Sequence, residues 1–139
     1  MTQHEITYSY DLSSIDWAWL KQRLKEDHFD NGRTPEQYQI SFENSYVTVF
    51  AYHNGEIIGK ARALSDGICN SYIVDVWTDS PFRNQGIASV LLQKLEEKLE
   101  GQHVYLFTDD AVDFYRKCGY KEQDVGLGKV VGSWLQNGS

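Results

Sequence analysis

Val76-Trp77-Thr78-Asp79-Ser80-Pro81-Phe82-Arg83-Asn84-Gln85-Gly86-Ile87-Ala88-Ser89 is the stretch that decides the reading of this chain. Its first residues are branched and aromatic, as strands prefer. Proline, asparagine and glycine then break the pattern. From Ile87 onward, Ala88, Leu91, Leu92, Leu95 and Leu99 recur at helical spacing. A strand therefore feeds a short loop that opens onto a helix. The first turn of a helix has N–H groups without intrahelical partners and carries partial positive charge. Gly86 and Ala88 keep bulk away from that end, so a diphosphate could approach the backbone. Arg83 adds charge, and Gln85 and Ser89 add hydrogen-bonding groups. The Gly-Lys-Ser/Thr ending of a Walker loop is absent, and so is Gly-x-Gly-x-x-Gly. Taken alone, the segment reads more readily as a tight turn before an ordinary helix.

Upstream, the pattern is that of connected antiparallel strands. Ile6 to Tyr10 alternates as a first strand. Ser13-x-x-Asp16 can cap a helix with Trp17, Leu20 and Leu24 on one face, ending near Asn31-Gly32. Thr34-Pro35-Glu36-Gln37 starts a second, short helix, with Thr at the cap and Pro in the first turn. Val47 to His53 and Glu56 to Leu64 form a hairpin about Asn54-Gly55, both of which tolerate positive φ. Ser65-Asp66-Gly67 turns into a fourth strand, Ser71 to Thr78. Downstream, Gly101 ends the helix that begins at Ile87. His103 to Thr108 reads as a buried strand. Asp109 or Asp110 can cap a last helix that stops at Cys118-Gly119. Tyr120 to Gln123 and Lys129 to Leu135 read as closing strands. The order implies a mixed sheet with helices on its faces.

The 139 residues suit one domain, read here as 1–139. An aromatic content of 14% is enough for a core, which argues against wholesale disorder. The net charge of -7 opposes wrapping on nucleic acid and tethering to an anionic membrane. No apolar run approaches the length of a membrane span. No secretory signal is visible, so the cytosol is the expected compartment. Cys69 and Cys118 stand alone, with neither a zinc spacing nor a disulfide framework, and no metal is expected.

Arg83-x-x-Gly86-x-Ala88 resembles the Arg/Gln-x-x-Gly-x-Gly/Ala signature of the GCN5-related N-acetyltransferase (GNAT) superfamily. Ala111-Val112-Asp113-Phe114-Tyr115-Arg116-Lys117-Cys118-Gly119-Tyr120 is similar to the family's second motif, Ala-x-x-x-Tyr-x-x-x-Gly-Phe/Tyr. The likeness covers Val47 to Gln123; the N-terminal helices match in kind only. It implies an α/β (mixed) GNAT fold. The sheet would be mostly antiparallel, of roughly six to seven strands, splayed between the fourth and fifth and flanked by about four helices. It also implies acetyl-CoA as co-substrate. Val76, Trp77 and Thr78 match the strand whose backbone pairs with the pantetheine arm. Arg83, Asn84, Gln85, Gly86, Ile87, Ala88 and Ser89 match the pyrophosphate loop. Tyr115 matches the tyrosine beside the thioester sulfur, and its neighbour Phe114 is counted with the cofactor contacts.

Acetyl transfer to an amine needs a deprotonated amine, a polarised carbonyl and a proton for the leaving thiolate. The resemblance makes Tyr115 that general acid, whereas on sequence alone it is a core aromatic. Cys118, one turn on, reads as packing. The proton acceptor is open. Many relatives use a carboxylate on the fourth strand, or a water chain; here Val74 stands at the usual glutamate position. Asp75 is either near the substrate or a buried carboxylate fixing the turn at Asp66-Gly67. Alternation places Asp75 and Tyr72 on opposite faces. Thr108 stands where many relatives have asparagine. Acceptor candidates are Tyr38, Tyr72 and Asp75, with Trp19, Phe29, Phe42, Trp77 and Trp134 equally readable as core. A small-molecule amine is the expected partner. A protein amine, a non-catalytic acetyl-CoA sensor and a homodimer exchanging C-terminal strands (Val130 to Leu135) remain alternatives.

Overall fold

The computed structural model describes residues 5–123 and 125–134. The elements run β1 (Thr7–Ser9), α1 (Trp17–Glu26), α2 (Pro35–Glu43), β2 (Val47–His53), β3 (Glu56–Ser65), β4 (Asn70–Thr78), a 3-10 turn (Ser80–Phe82), α3 (Ile87–Glu97), β5 (His103–Tyr105) and α4 (Val112–Lys117). The strands lie in the order β1-β2-β3-β4-β5. The first four are antiparallel, and β5 pairs parallel with β4. A strand that runs parallel to its predecessor needs a crossover, and α3 is that crossover.

Alternation along the strands builds two cores, one on each face of the sheet. Val49, Ala51, Ala61, Ala63 and Ile73 face Ile87, Leu91, Leu92 and Leu95 of α3. Phe50, Ile57 and Trp77 face Trp17, Leu20 and Leu24 of α1 and Tyr38 and Phe42 of α2. Gly59 sits where β3 meets α3. A Cβ there would lie 3.1 Å from the Trp77 carbonyl and 3.3 Å from both Ile87 and Leu91, so only glycine lets the helix this close. The capping box of α2 forms as its sequence requires: Thr34 Oγ1 accepts from the Gln37 amide and Gln37 Oε1 from the Thr34 amide. At the hairpin, Asn54 and Gly55 have φ of 52° and 80°.

Several expectations are corrected. Asp16, not Ser13, caps α1, accepting from the Trp19 amide. The helix ends at Glu26, before Asn31-Gly32, because His28 turns left-handed at φ 61°. Thr108 Oγ1, and neither Asp109 nor Asp110, accepts from the Ala111 amide before α4. The sheet has five strands among the described residues. Tyr120 to Gln123 and 129–134 are irregular, and Leu135 lies outside the described residues. Gly126, Gly128 and Gly132 give this tail little to pack and much backbone entropy to lose. β5 pairs only at His103, Val104 and Tyr105, because β4 turns away beyond Tyr72.

Candidate active site

The turning point is a bulge in β4. Its register with β3 jumps from Arg62↔Val74 to Lys60↔Trp77, so Ala61 faces two residues, Asp75 and Val76. Asp75 is left-handed, with φ 63°. A bulge bends its strand and shifts the side-chain alternation that follows. Tyr72 shares the face of its partner Leu64, which is also the face of Arg62 and Lys60. Asp75 contacts both of those cations. Asp75 and Tyr72 therefore share a face, contrary to simple alternation. Beyond Tyr72, β4 has no β5 partner among the described residues. The edge from Ile73 to Thr78 flanks this opening, with Val76 and Thr78 on it. Thr78 Oγ1 is buried without a hydrogen-bond partner.

The loop beyond β4 is pinned from beneath. Asp27, the residue that ends α1, accepts from Trp77 Nε1 at 2.9 Å, from Arg83 Nη2 at 2.7 Å and from the Ser80 hydroxyl. Burial pushes the Asp27 carboxyl up. Ser80, Trp77, Arg83 and Arg23 outweigh it and hold the group below the usual carboxylate range. Arg83 Nε also donates to the Thr78 carbonyl at 2.8 Å. Arg23 grips Asp79 through Nε and Nη2 in a fork. Asn84 and Gly86 are left-handed, at φ 65° and 84°. A Cβ at Gly86 would meet nothing within 4 Å, so the approach to the first turn of α3 is open. Ile87 is buried under that turn, Asn84 and Gln85 are exposed, and Ala88 and Ser89 are half-buried.

α4 packs on the same core as α3. Tyr115 is half-buried and packs edge-on against Phe114 and Tyr120, with centroids at 5.0 and 6.0 Å. Burial pushes its phenol up, and the neighbouring Cys118 and Asp110 push it further. Tyr115 lines a cavity of about 490 Å³ between the β5 edge (Val104 to Thr108), α4, and Tyr120 to Gln123 with Val125 and Gly126. Val76, Phe114, Tyr115 and Cys118 all pack on the cluster that contains Ile87. Val76, Ile87 and Tyr115 thus share one packed core, whereas the cavity that Tyr115 lines takes its walls from β5, α4 and the segment after it. Cys118 packs there, as its sequence position suggested.

The acceptor candidates divide. Tyr72 is 37% exposed and packs edge-on to Phe107, itself 71% exposed. Trp77, Tyr38 and Phe42 are corrected to core: each is at most 2% exposed within the α1–α2 cluster. Only the backbone of Trp77 is then available on the β4 edge. Tyr38 reaches no surface, although its hydroxyl donates to Asp75 at 3.4 Å. Asp75 does not fix the Asp66-Gly67 turn. Asp66 does so itself, accepting from the Ile68, Cys69 and Asn70 amides. Trp19 lies beside the β2–β3 turn, in a cavity with Tyr52 and Gly55. Trp134 stacks on Arg33, 4.1 Å from ring centroid to guanidinium. Phe29 packs on the Lys60 ammonium.

Sequence reasoning passed over Asp27, Lys60 and Arg62. Arg62 Nε donates to Asp75 at 2.6 Å, and Lys60 lies 3.8 Å from the same carboxylate. Burial raises the Asp75 carboxyl, but Lys60 and Arg62 hold it low. The available signal was cationic residues at alternate positions of an otherwise apolar strand. No cluster of potential metal ligands occurs among the described residues. No helix among them is long and apolar enough to cross a membrane.

Comparison with known proteins gives one answer. The model of the acetyltransferase (GNAT) family matches residues 10–120. The Glycine max protein named "Probable acetyltransferase TAP2" is 36% identical over 134 residues, covering 85% of this chain and 50% of its own. A second Glycine max protein, "Histone acetyltransferase TAP1", is 31% identical over 102 residues, covering 63% of this chain and 44% of its own. The chain spans about half the length of these curated relatives. Among solved structures, a Deinococcus radiodurans R1 protein assigned as an acetyltransferase superposes with a TM-score of 0.78, at 29% identity and 93% coverage of both chains.

Proposed function

The chain belongs to the acetyltransferase (GNAT) family, and on that premise we propose that it transfers the acetyl group of acetyl-CoA to a primary amine of a small molecule, with Tyr115 as general acid. The observation that carries this reading is the parting of β4 from β5 next to the open first turn of α3. The residues fit the co-substrate on three counts. The β4 edge beyond Tyr72 offers backbone groups to an extended amide-bearing arm. Thr78 Oγ1 is a buried polar atom in need of a partner. The space at Gly86 would admit a phosphate to the amides of Ile87 and Ala88. Arg83, anchored on Asp27, adds positive charge at that end.

Bound acetyl-CoA supplies an acetyl group activated as a thioester. The residues of the chain then have separate tasks. Val76 and Thr78 orient the arm along the strand. Tyr115 holds a proton on Oη, and its raised pKa keeps that proton in place throughout the neutral range, ready for a leaving thiolate. Tyr115 packs on the α3 face of the sheet, and Tyr72 lies on the other face where β4–β5 pairing ends. An amine arriving beside Tyr72 and Phe107 would meet the acetyl group there. Asp75, held ionised by Lys60 and Arg62, gives that face a carboxylate.

Incubating acetyl-CoA with a panel of small amines and measuring free thiol tests the proposal. Amine-dependent thiol release supports it. Tight acetyl-CoA binding with no turnover on any amine would favour a sensor instead. A protein amine is the second reading, favoured by the histone acetyltransferase among the relatives. Release of thiol with peptides but not with small amines would establish it. The two free cysteines suit a reducing compartment, and we place the reaction in the cytosol.

A further inference from the structure

β3 carries a lysine in the middle of the aromatic core. Lys60 is 0% exposed. Its ammonium lies 4.9 Å from the ring centroid of Phe29 and 5.5, 5.8 and 5.9 Å from those of Tyr38, Trp77 and Phe42. Burying a charge in such a place is costly, and an apolar side chain of similar volume would fill it at less expense. Its polar contacts lead to one residue. Nζ donates to the Asp75 carbonyl at 3.2 Å and lies 3.8 Å from the Asp75 carboxylate. Asp75 is the left-handed residue of the β4 bulge. A bulged residue drops out of the ladder, and left-handed backbone is unfavourable for a residue with a Cβ. Both costs fall where Lys60 points.

We propose that Lys60 is a positioning residue for the donor slot: its ammonium, bonded to the Asp75 carbonyl, holds the bulge that turns β4 away from β5. The inference rests on the reading of that slot as the acetyl-CoA site. The charged and titratable groups facing Lys60 are Asp75 on β4, Arg62 on β3, Lys21 on α1 and Tyr38 on α2. Burial brings its pKa down to about 8; Asp75 opposes this, and Arg62 and Lys21 add to it. The bond to the Asp75 carbonyl is made by an N–H of Nζ, which the ammonium and the neutral amine both carry.

The test compares wild type, Lys60→Met, and Lys60→Met combined with Asp75→Gly. Acetyl-CoA affinity is read by calorimetry. The backbone conformation at position 75 is read in each protein from HN–Hα couplings and Cα shifts, with and without acetyl-CoA. Methionine fills the aromatic box without a charge, and Arg62 at 2.6 Å keeps the Asp75 carboxylate paired, so Lys60→Met should still fold cooperatively. It should nevertheless bind acetyl-CoA at least tenfold more weakly, with Asp75 shifted toward extended geometry. Glycine adopts positive φ freely, so the double variant should recover affinity to within about threefold of wild type. A purely structural lysine would lose stability and affinity together. Lys60→Leu, a second apolar replacement, should show the same loss of affinity, a readout that stands even if Lys60→Met fails to fold. Wild-type affinity for Lys60→Met or Lys60→Leu, or no recovery in the double variant, would each overturn the proposal. Should wild type bind no acetyl-CoA, the functional reading fails. The Asp75 couplings in Lys60→Met then decide the bulge on their own: unchanged couplings overturn the inference, and a shift to extended values sustains it.

Discussion

Gly86 and Gly101 form a matched pair that separates the folding role of a glycine from a binding role. Their φ values are 84° and 83°, and a Cβ at either would meet nothing within 4 Å. Alanine at either position therefore costs the left-handed conformation and nothing steric, about 1–2 kcal/mol. In a domain of this size that lowers the melting temperature by roughly 3–8 °C. The two glycines flank opposite ends of α3, an 11-residue helix, which at 1.5 Å per residue is about 16 Å long. Only Gly86 stands before the open first turn. The methyl of Gly86→Ala would occupy the space through which a phosphate reaches the Ile87 and Ala88 amides. Acetyl-CoA affinity should fall tenfold or more, about 1.4 kcal/mol. Gly101→Ala should leave it within twofold. Thermal unfolding and calorimetric titration of both variants measure the two effects separately. Equal affinities in the two variants, alongside equal melting shifts, would refute the cradle at Gly86.

Tyr115→Phe should lower turnover by about 10² while acetyl-CoA affinity stays unchanged, as stopped-flow and calorimetry would register; equal losses in both would make Tyr115 a packing residue. Asp27→Asn should destabilise the fold by about 1–3 kcal/mol in urea titrations, because hydrogen bonds from Arg83, Ser80 and Trp77 lose a charged acceptor. Asp27 and Asp75 both have folded-state pKa values below the ordinary carboxylate value. Their contribution is therefore complete above about pH 4–5 and is lost as pH falls through the lowered values; urea midpoints should drop in that acid window, and less steeply in Asp27→Asn. Lys60 has a depressed pKa of a cationic group, about 8 when folded. Above that pH the unfolded chain holds more protons than the folded one, so stability from this group rises with pH until the unfolded lysine also titrates. Any stability advantage of Lys60→Met over wild type should therefore shrink as pH is raised above about 8, and an advantage that stays constant would contradict a depressed Lys60.

Local chemistry was legible in the sequence wherever one residue type had one job. Thr34-Pro35 capped α2, Asn54-Gly55 closed the hairpin and Gly86 opened α3. The leucine spacing after Ile87 gave the face of α3 that the sheet buries. The two motifs named the family and foretold the splayed sheet. What stayed hidden depended on registers between strands. Nothing in Tyr72-Ile73-Val74-Asp75-Val76 marks a bulge, since aspartate is an ordinary, if infrequent, strand residue. A one-residue insertion reverses the facing of everything beyond it. It therefore moved Asp75 to the face of Tyr72 and sealed Trp77 into the core. Asp27 was invisible for a related reason. Its three principal donors lie fifty or more residues away in the chain. Among the described residues the closing strands do not form, because alternation survives in the tail while its glycines remove the packing that makes alternation useful.

The bulge links these observations physically. A five-stranded sheet with both faces covered should keep its strands paired, because unpaired edges waste hydrogen bonds. This sheet instead parts from β5 at Tyr72. Over the rest of β4 it bears a left-handed aspartate and an orphaned Thr78 hydroxyl, and it sets a buried ammonium against them. Each is a local cost: Asp75 and Thr78 lie on the stretch where β4 stands apart, Lys60 faces it from β3, and a second unpartnered hydroxyl, Ser71 Oγ, lies on the paired stretch. Costs gathered in one place are expected where the folded state is shaped for a ligand rather than for its own stability. The corollary concerns how the protein should respond to binding. A bound arm that pairs with the β4 edge replaces the missing β5 partner, so it should stabilise β4 more than it stabilises the hairpin of β2 and β3. Hydrogen exchange with and without acetyl-CoA reads this directly. Protection should rise at Val76 and Thr78 and at the Ile87 and Ala88 amides, with little change at Val49 or Ala61. Uniform protection across the sheet would mean that binding merely tightens the whole fold, and the cost at β4 would then need another cause.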